Sequence, residues 1–246
     1  MQKKIITRAT FFKRAKNYQK KLSRDEKVKK ISRKLYILSD QHNWSYQHSW
    51  MGEPMLQTPE DVIKMEKVIF DYKPKIIFEI GVCWGGMLLF YDNIAKSHDI
   101  EKILGVDIFV PNNLKLRIKG KVSKKVILKQ FSSIDEKYLT FYKKIKGNKK
   151  LLIHLDSNHT HEHVLKELRL FDKVTSKGDI IIVGDTIINY IPNQKHRIRE
   201  WNKKRNPKTA LDIFFKENKK YKLIKDYSEN SLLTNNPYSH ILKIRD

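Results

Sequence analysis

One stretch constrains the fold more than any other: residues 76–86, Ile-Ile-Phe-Glu-Ile-Gly-Val-Cys-Trp-Gly-Gly. An apolar, β-branched run ends in an acid and a glycine. A glycine pair then opens the amphipathic segment from Met87 to Ala95. This is the pattern of a strand, a tight turn and a helix start. Gly81 allows the chain to reverse where a Cβ would clash, and Gly85 and Gly86 let a ligand approach the backbone. Turns of this kind at the C-terminal edge of a parallel sheet are where α/β proteins bind nucleotide-like cofactors.

The rest of the chain repeats the alternation. Strands are expected over 75–80, 102–108, 125–130, 151–156, 179–184, 221–226 and 239–244. Helices are expected over 86–96, 112–119, 134–145, 160–174 and 207–218. Thr58-Pro59-Glu60-Asp61 starts a further helix: Thr58 caps, Pro59 suits the first position, and the acids favour the positive end of the dipole. The alternation predicts a mostly parallel α/β sheet with helices on both faces. The last two strands leave no room for a crossover helix, so the final strand is expected to be antiparallel. Residues 40–57, aromatic, polar and aperiodic, read as a structured loop that covers a pocket.

Net charge is +24 over 246 residues, and half of it is concentrated. Residues 1–34 carry 14 Lys or Arg against Asp25 and Glu26. Ile5, Ile6, Phe11, Phe12 and Ala15, then Val28, Ile31, Leu35 and Leu38, recur at near-helical spacing. We therefore divide the chain into a basic helical extension, 1–40, and a catalytic-type domain, 41–246. Such an extension attracts phosphates of nucleic acid, anionic lipid or an anionic substrate. The single cysteine, Cys83, excludes an intrachain disulfide framework. No apolar run approaches the roughly 20 residues that cross a bilayer. Charges interrupt the N-terminus every few residues, so the expected location is the cytoplasm, with peripheral contact at the inner membrane face through residues 1–38.

Three strand ends carry acids. Glu79 precedes the glycine turn. Asp107 ends the next strand, where an acid accepts hydrogen bonds from ribose hydroxyls. Asp156 and Asp185 end the fourth and fifth strands; as neighbours, two ionised carboxylates repel unless a cation or proton separates them, and Mg²⁺ is the natural occupant. His159, three residues past Asp156, is placed to take a proton from a substrate hydroxyl. His161 and His163 read as solvating the next helix start.

These residues, together with Asn43-Trp44-Ser45, Trp50-Met51-Gly52-Glu53-Pro54 and Asn206-Pro207-Lys208-Thr209-Ala210, resemble the cephalosporin hydroxylase family. That family has the Rossmann-like fold of class I S-adenosylmethionine (SAM)-dependent methyltransferases. The resemblance covers about residues 40–246 and implies a seven-stranded sheet with SAM over its first two strands. Glu79, Gly81, Gly85, Gly86, Asp107 and Ser132 would hold the donor; Ser132 follows the third strand, where class I enzymes often hold the adenine. By analogy with related sugar O-methyltransferases, Asp156 and Asp185 would hold Mg²⁺ and His159 would act as the base. Gly184 departs from the pattern, since the family often has Glu there, and this removes one carboxylate from the metal site.

The implied acceptor is a small molecule or glycan, including anionic ones drawn to Lys195–Arg205. Nucleic acid and a second copy of the chain remain open as partners. His154-Leu155-Asp156, with His196 or His240, matches the ligand pattern of non-haem iron oxygenases, whose antiparallel fold disagrees with the alternation here. Asn235-Asn236-Pro237-Tyr238 is similar to a motif of nucleic-acid amino-methyltransferases, but it precedes the last strand and reads as a turn.

Overall fold

The computed structural model describes residues 6–228 and 230–246; Ile5 of the N-terminal stripe and Glu229 of the final link lie outside the described residues. Helices α1 (Arg8–Leu22) and α2 (Glu26–Asp40) lead into a short hairpin, β1 (Ser49–Trp50) and β2 (Glu53–Pro54), and then helix α3 (Pro59–Tyr72). Strand and helix alternate from there: β3 (Ile76–Ile80), α4 (Gly86–Ile94), β4 (Lys102–Asp107), α5 (Asn112–Ile118), β5 (Val126–Gln130), α6 (Leu139–Lys146), β6 (Leu151–Leu155), α7 (His161–Asp172) and β7 (Ile180–Val183). The chain closes with α8 (Pro207–Glu217), β8 (Tyr221–Leu223), α9 (Lys225–Ser228) and β9 (His240–Lys243). The main sheet has seven strands in the order β5-β4-β3-β6-β7-β9-β8. Pairs from β5 through β7 are parallel, and β9 is antiparallel to both its neighbours.

The strands are apolar on both faces because helices cover both. Successive side chains alternate across a sheet. On β3, Ile76, Phe78 and Ile80 join Tyr142, Leu168 and Phe214 on the side of α6, α7 and α8. Ile77 joins Val68, Leu88 and Leu89 on the side of α3 and α4. Each such side chain taken fully from water contributes on the order of 1.5–3 kcal/mol. Glu79 and His154, opposite one another in register, share this second face.

The helix starts are those the sequence encodes. The Thr58 hydroxyl accepts the Asp61 N–H at 3.2 Å, with Pro59 at the first position. Asn206 caps α8 in a reciprocal box with Thr209, so the Asn-Pro-Lys-Thr-Ala element is a helix initiator. The basic N-terminal segment splits into two helices that pack differently. Among the described residues, none in α1 is buried, whereas α2 buries Tyr36 and Asp40.

One expected element is shorter than its sequence pattern. β8 ends at Leu223, and residues 225–228 form one helical turn where the strand was expected to run to 226. The turn buries Tyr227, whose ring stacks on His240 at 5.9 Å. The last strand is antiparallel as expected.

At the centre of the sheet, the turn after β3 lies directly on the chain leaving β6. The Asp156 N–H donates to Ile80 O at 2.7 Å, and the Gly81 N–H donates to Val106 O at 2.8 Å. Gly81 has φ +97°, and a Cβ there would sit 2.2 Å from the Asp156 carbonyl oxygen. Gly52 is also left-handed (φ +84°), but its Cβ would meet open space. Gly81→Ala is therefore expected to lower unfolding free energy by about 3 kcal/mol or more, combining left-handed strain with backbone overlap. Gly52→Ala should cost about 1 kcal/mol. Urea denaturation of the two variants checks this difference; equal losses would mean that the close approach at Gly81 carries no weight.

Candidate functional site

A cavity of about 430 Å³ opens at the C-terminal ends of β3, β4, β6 and β7, within the usual size of small-molecule sites. The sequence-selected residues Glu79, Gly81, Gly86, Asp107, Asp156, His159 and Asp185 all line it. Gly85 and Ser132 are not among its lining residues. Gly85 is the left-handed cap of α4, and its Cβ would approach the Leu114 side chain to 3.1 Å. A Cβ on Gly86 would strike Pro54 O at 2.4 Å. The small residue there admits the loop that follows the β1–β2 hairpin. Glu53 fastens that hairpin to Arg117 of α5 (3.0 Å) and to Lys121 just beyond it (3.1 Å). Ser132 is half-buried beside Ser133, which is buried and donates to Glu167 at 2.5 Å.

On the side of the glycine turn, Asp107 holds the turn itself. One carboxylate oxygen accepts the Val82 and Cys83 N–H groups at 2.8 and 3.0 Å, and the other accepts the Phe109 N–H at 3.1 Å. Oδ1, with a single N–H donor, keeps a lone pair for a ligand hydroxyl. Trp84, Met87, Phe109 and Pro111 add an apolar, partly aromatic wall.

Beneath the cavity, Glu79 accepts from His154 Nδ1 at 3.1 Å, and the Tyr91 hydroxyl lies 3.3 Å from the same nitrogen. Burial disfavours charge on His154, but the Glu79 carboxylate outweighs it and lifts the imidazole to about 9. The pair is thus ionic in the core, an arrangement that holds its geometry at a desolvation cost. This disposes of the iron-ligand reading of His154-Leu155-Asp156: His154 is wholly buried on a parallel strand and committed to Glu79.

On the opposite side, His159 Nε2 faces Asp185 Oδ2 at 3.4 Å, and the imidazole edge meets the Trp201 ring at 4.8 Å. Gln57, nearly wholly buried, donates from Nε2 to Asp156 Oδ2 at 2.7 Å. Its Oε1 accepts from Asn236 Nδ2 at 3.3 Å, and Asn236 Oδ1 accepts the Asp185 N–H at 2.9 Å. The Asn-Asn-Pro-Tyr segment is therefore a link between the two aspartate-bearing strand ends. Asp156 is pushed up to about 6, chiefly by burial, while His154 holds it down and Asp185 raises it further.

A roof joins the covering loop and the basic segment read from the sequence to residues that sequence reasoning left out of the site, Tyr36 and Gln194. Tyr36 of α2 donates to Asn235 Oδ1 at 2.7 Å. Asp40 accepts from Gln194 and from Arg197, with His196 Nε2 at 3.3 Å. Arg197 lies over the Tyr46 ring at 4.9 Å. Arg199 donates to the Tyr46 hydroxyl at 3.1 Å and covers Trp201 at 5.2 Å. The expected loop cover at 40–57 is present. The polar periodicity Ser32, Tyr36, Asp40 along a helix was the available signal that α2 docks against polar partners.

The family model for Rhamnosyl O-methyltransferase/CmcI matches residues 42–244. The chain belongs to this family. A rhamnosyl O-methyltransferase of Mycobacterium tuberculosis (strain H37Rv) is 25% identical over 165 residues, covering 63% of this chain and 66% of the relative. The chain thus spans just under two thirds of the length of that curated relative. Among solved structures, CmcI in its apo form aligns with a TM-score of 0.59 and 17% identity over 82% of this chain and 78% of that one. CmcI with Mg and SAM gives 0.55 and 16% over 81% and 77%. These similarities establish the class I methyltransferase fold.

Local packing accounts for Gly184, where the family often has Glu. A Cβ there would lie 2.3 Å from Asp156 Oδ1 and 2.8 Å from Leu155 O. The Asp156 carboxylate thus occupies the space a side chain at 184 would need. Among the described residues no cluster of three or more His, Cys, Asp or Glu has metal-binding geometry. The donor chemistry still suits magnesium, which commonly takes one or two carboxylates and completes its shell with water and substrate. Burial, with a smaller contribution from Asp185, penalises the ionised Asp156, and a bound cation would offset that penalty.

A carboxyl raised by folding contributes stability while protonated, below about pH 4. That contribution is lost as pH climbs through about 6. Asp156→Asn removes the penalty, so the ligand-free variant should be more stable than the parent at pH 7.5 by on the order of 2 kcal/mol. The gap should close below pH 4. Thermal melts across that range check it; a variant less stable at pH 7.5 would show that Asp156 is a structural acceptor first.

Proposed function

We propose that this chain transfers a methyl group from SAM to a hydroxyl of a sugar or glycoconjugate. One observation carries the reading: a single cavity gathers the glycine turn and Asp107 on one side and the His159–Asp185 pair on the other. Membership of a family whose curated relatives are rhamnosyl O-methyltransferases supports the sugar class of acceptor. The apolar wall of Trp84, Phe109 and Pro111 suits an adenine, Asp107 suits ribose hydroxyls, and the acids around the turn suit a sulfonium cation. Tyr46 and Trp201 offer aromatic surface for a sugar, and Arg199 favours an acceptor bearing negative charge.

Bound SAM supplies an electrophilic methyl carbon on a positively charged sulfur. The acceptor oxygen forms a bond to that carbon as the carbon–sulfur bond breaks and its electron pair returns to sulfur. Asp185 faces His159 Nε2 and leaves Nδ1 to take the hydroxyl proton; the carboxylate then stabilises the imidazolium. Trp201 fixes the imidazole plane. Asp156 and Asp185 would hold Mg²⁺, which would supply Lewis-acid chemistry that makes a hydroxyl more acidic. Gln57 and Asn236 keep those carboxylates in place. The remaining barrier reduction comes from alignment of oxygen, carbon and sulfur.

Calorimetric titration with S-adenosylhomocysteine, with and without Mg²⁺, tests the donor site, and absence of binding sinks the proposal. His159→Ala should lower kcat by about 10²–10⁴-fold while donor affinity stays within a few-fold. Unchanged turnover would remove His159 from the mechanism.

A further inference from the structure

The two N-terminal helices carry an apolar surface that nothing in the described fold covers. On α2, Ser32, Tyr36 and Asp40 face the domain. Ile31, Leu35 and Leu38, at spacings of four and three, lie on another face and are 59%, 50% and 49% exposed. On α1, Phe11 and Tyr18 lie two turns apart and are 60% and 66% exposed, with Phe12 beside them. Exposed apolar residues singly are ordinary, but two consecutive helices that each carry several are not.

The charge beside them is the second observation. Residues 1–34 have 14 Lys or Arg and two acids. Among the described residues, no carboxylate pairs with a cation of α1, and the one pair within α2 joins Lys29 to Glu26. Arg8 lies over the Phe12 ring at 4.9 Å and Lys21 over Tyr18 at 5.8 Å, so cations border the aromatic face. On α2, Lys27, Lys30 and Lys34 flank the Ile31–Leu35–Leu38 stripe along one edge.

We propose that α1 and α2 form a docking surface for an anionic lipid bilayer. Large apolar side chains gain nothing on a phosphodiester backbone, which disfavours nucleic acid as the occupant. A second copy would bring a further excess of positive charge against the first, which disfavours self-association. A bilayer with acidic headgroups satisfies both properties, taking the apolar stripe into the acyl boundary and the lysines at the headgroups. The opposite face of α2 lines the cavity through Tyr36 and Asp40. Docking therefore holds the cavity about one helix diameter, roughly 10 Å, from the headgroups.

The test is co-sedimentation of the full chain with vesicles of phosphatidylcholine alone or mixed with phosphatidylglycerol. The protein should pellet with the anionic vesicles only, and the bound fraction should fall steeply as salt is raised. Phe11→Ser combined with Leu35→Ser should weaken vesicle partitioning at least about tenfold. Melting temperature and S-adenosylhomocysteine affinity should not change, because both residues are exposed outside the cavity. Equal binding to both vesicle types, or none to either, overturns the proposal. So does a dimer in sedimentation velocity that the double substitution dissociates, which would make the face a subunit contact. Salt-sensitive binding of duplex DNA that is indifferent to the double substitution, without vesicle binding, would assign the charge to nucleic acid instead.

Discussion

The site depends on one close approach: the backbone of Gly81 lies against the carbonyl of Asp156. The glycine turn with Asp107 and the His159–Asp185 pair follow different strands, β3–β4 and β6–β7. They become one cavity only because the turn after β3 can lie on the chain leaving β6 with no side chain between, 2.2 Å from where a Cβ would be. The Asp156 N–H to Ile80 bond fixes the same contact from the other chain. A side chain at 81 would wedge the strand ends apart and split the cavity between them.

Around that contact, polar groups are tied to one another across long stretches of sequence. Asp156, Gln57, Asn236 and the Asp185 backbone form one hydrogen-bonded chain. Glu79 and His154 form an ionic pair below it. Each link is costly to bury alone and tolerable when paired, so the network sets a defined geometry more than it adds stability. The raised Asp156 is the exception, a strained carboxyl kept where a substrate or cation would meet it.

Gly184 joins these two themes. From the sequence it is a missing carboxylate; in the fold it is the space that the Asp156 carboxylate fills. The charge is not simply deleted, because the surviving carboxylates, Asp156 and Asp185, remain beside the cavity and beside His159.

The order of strands and helices, the helix starts at Thr58 and Asn206, and the antiparallel last strand were legible in the sequence. They follow from local periodicity, capping and link length, which act over a few residues. The acids at strand ends were legible for the same reason, since a strand's last side chain has nowhere to be but the sheet edge. The tertiary structure alone decided that Gly86 makes room for Pro54, that Glu79 is committed to His154, and that Asp40 of α2 pairs with Arg197 of the 190–202 loop over the cavity. Those contacts join residues 32 to 157 positions apart, and no local pattern reports which distant side chain will fill a given space. Sequence by itself determined the elements and the chemistry carried at their ends; packing decided which of those ends meet.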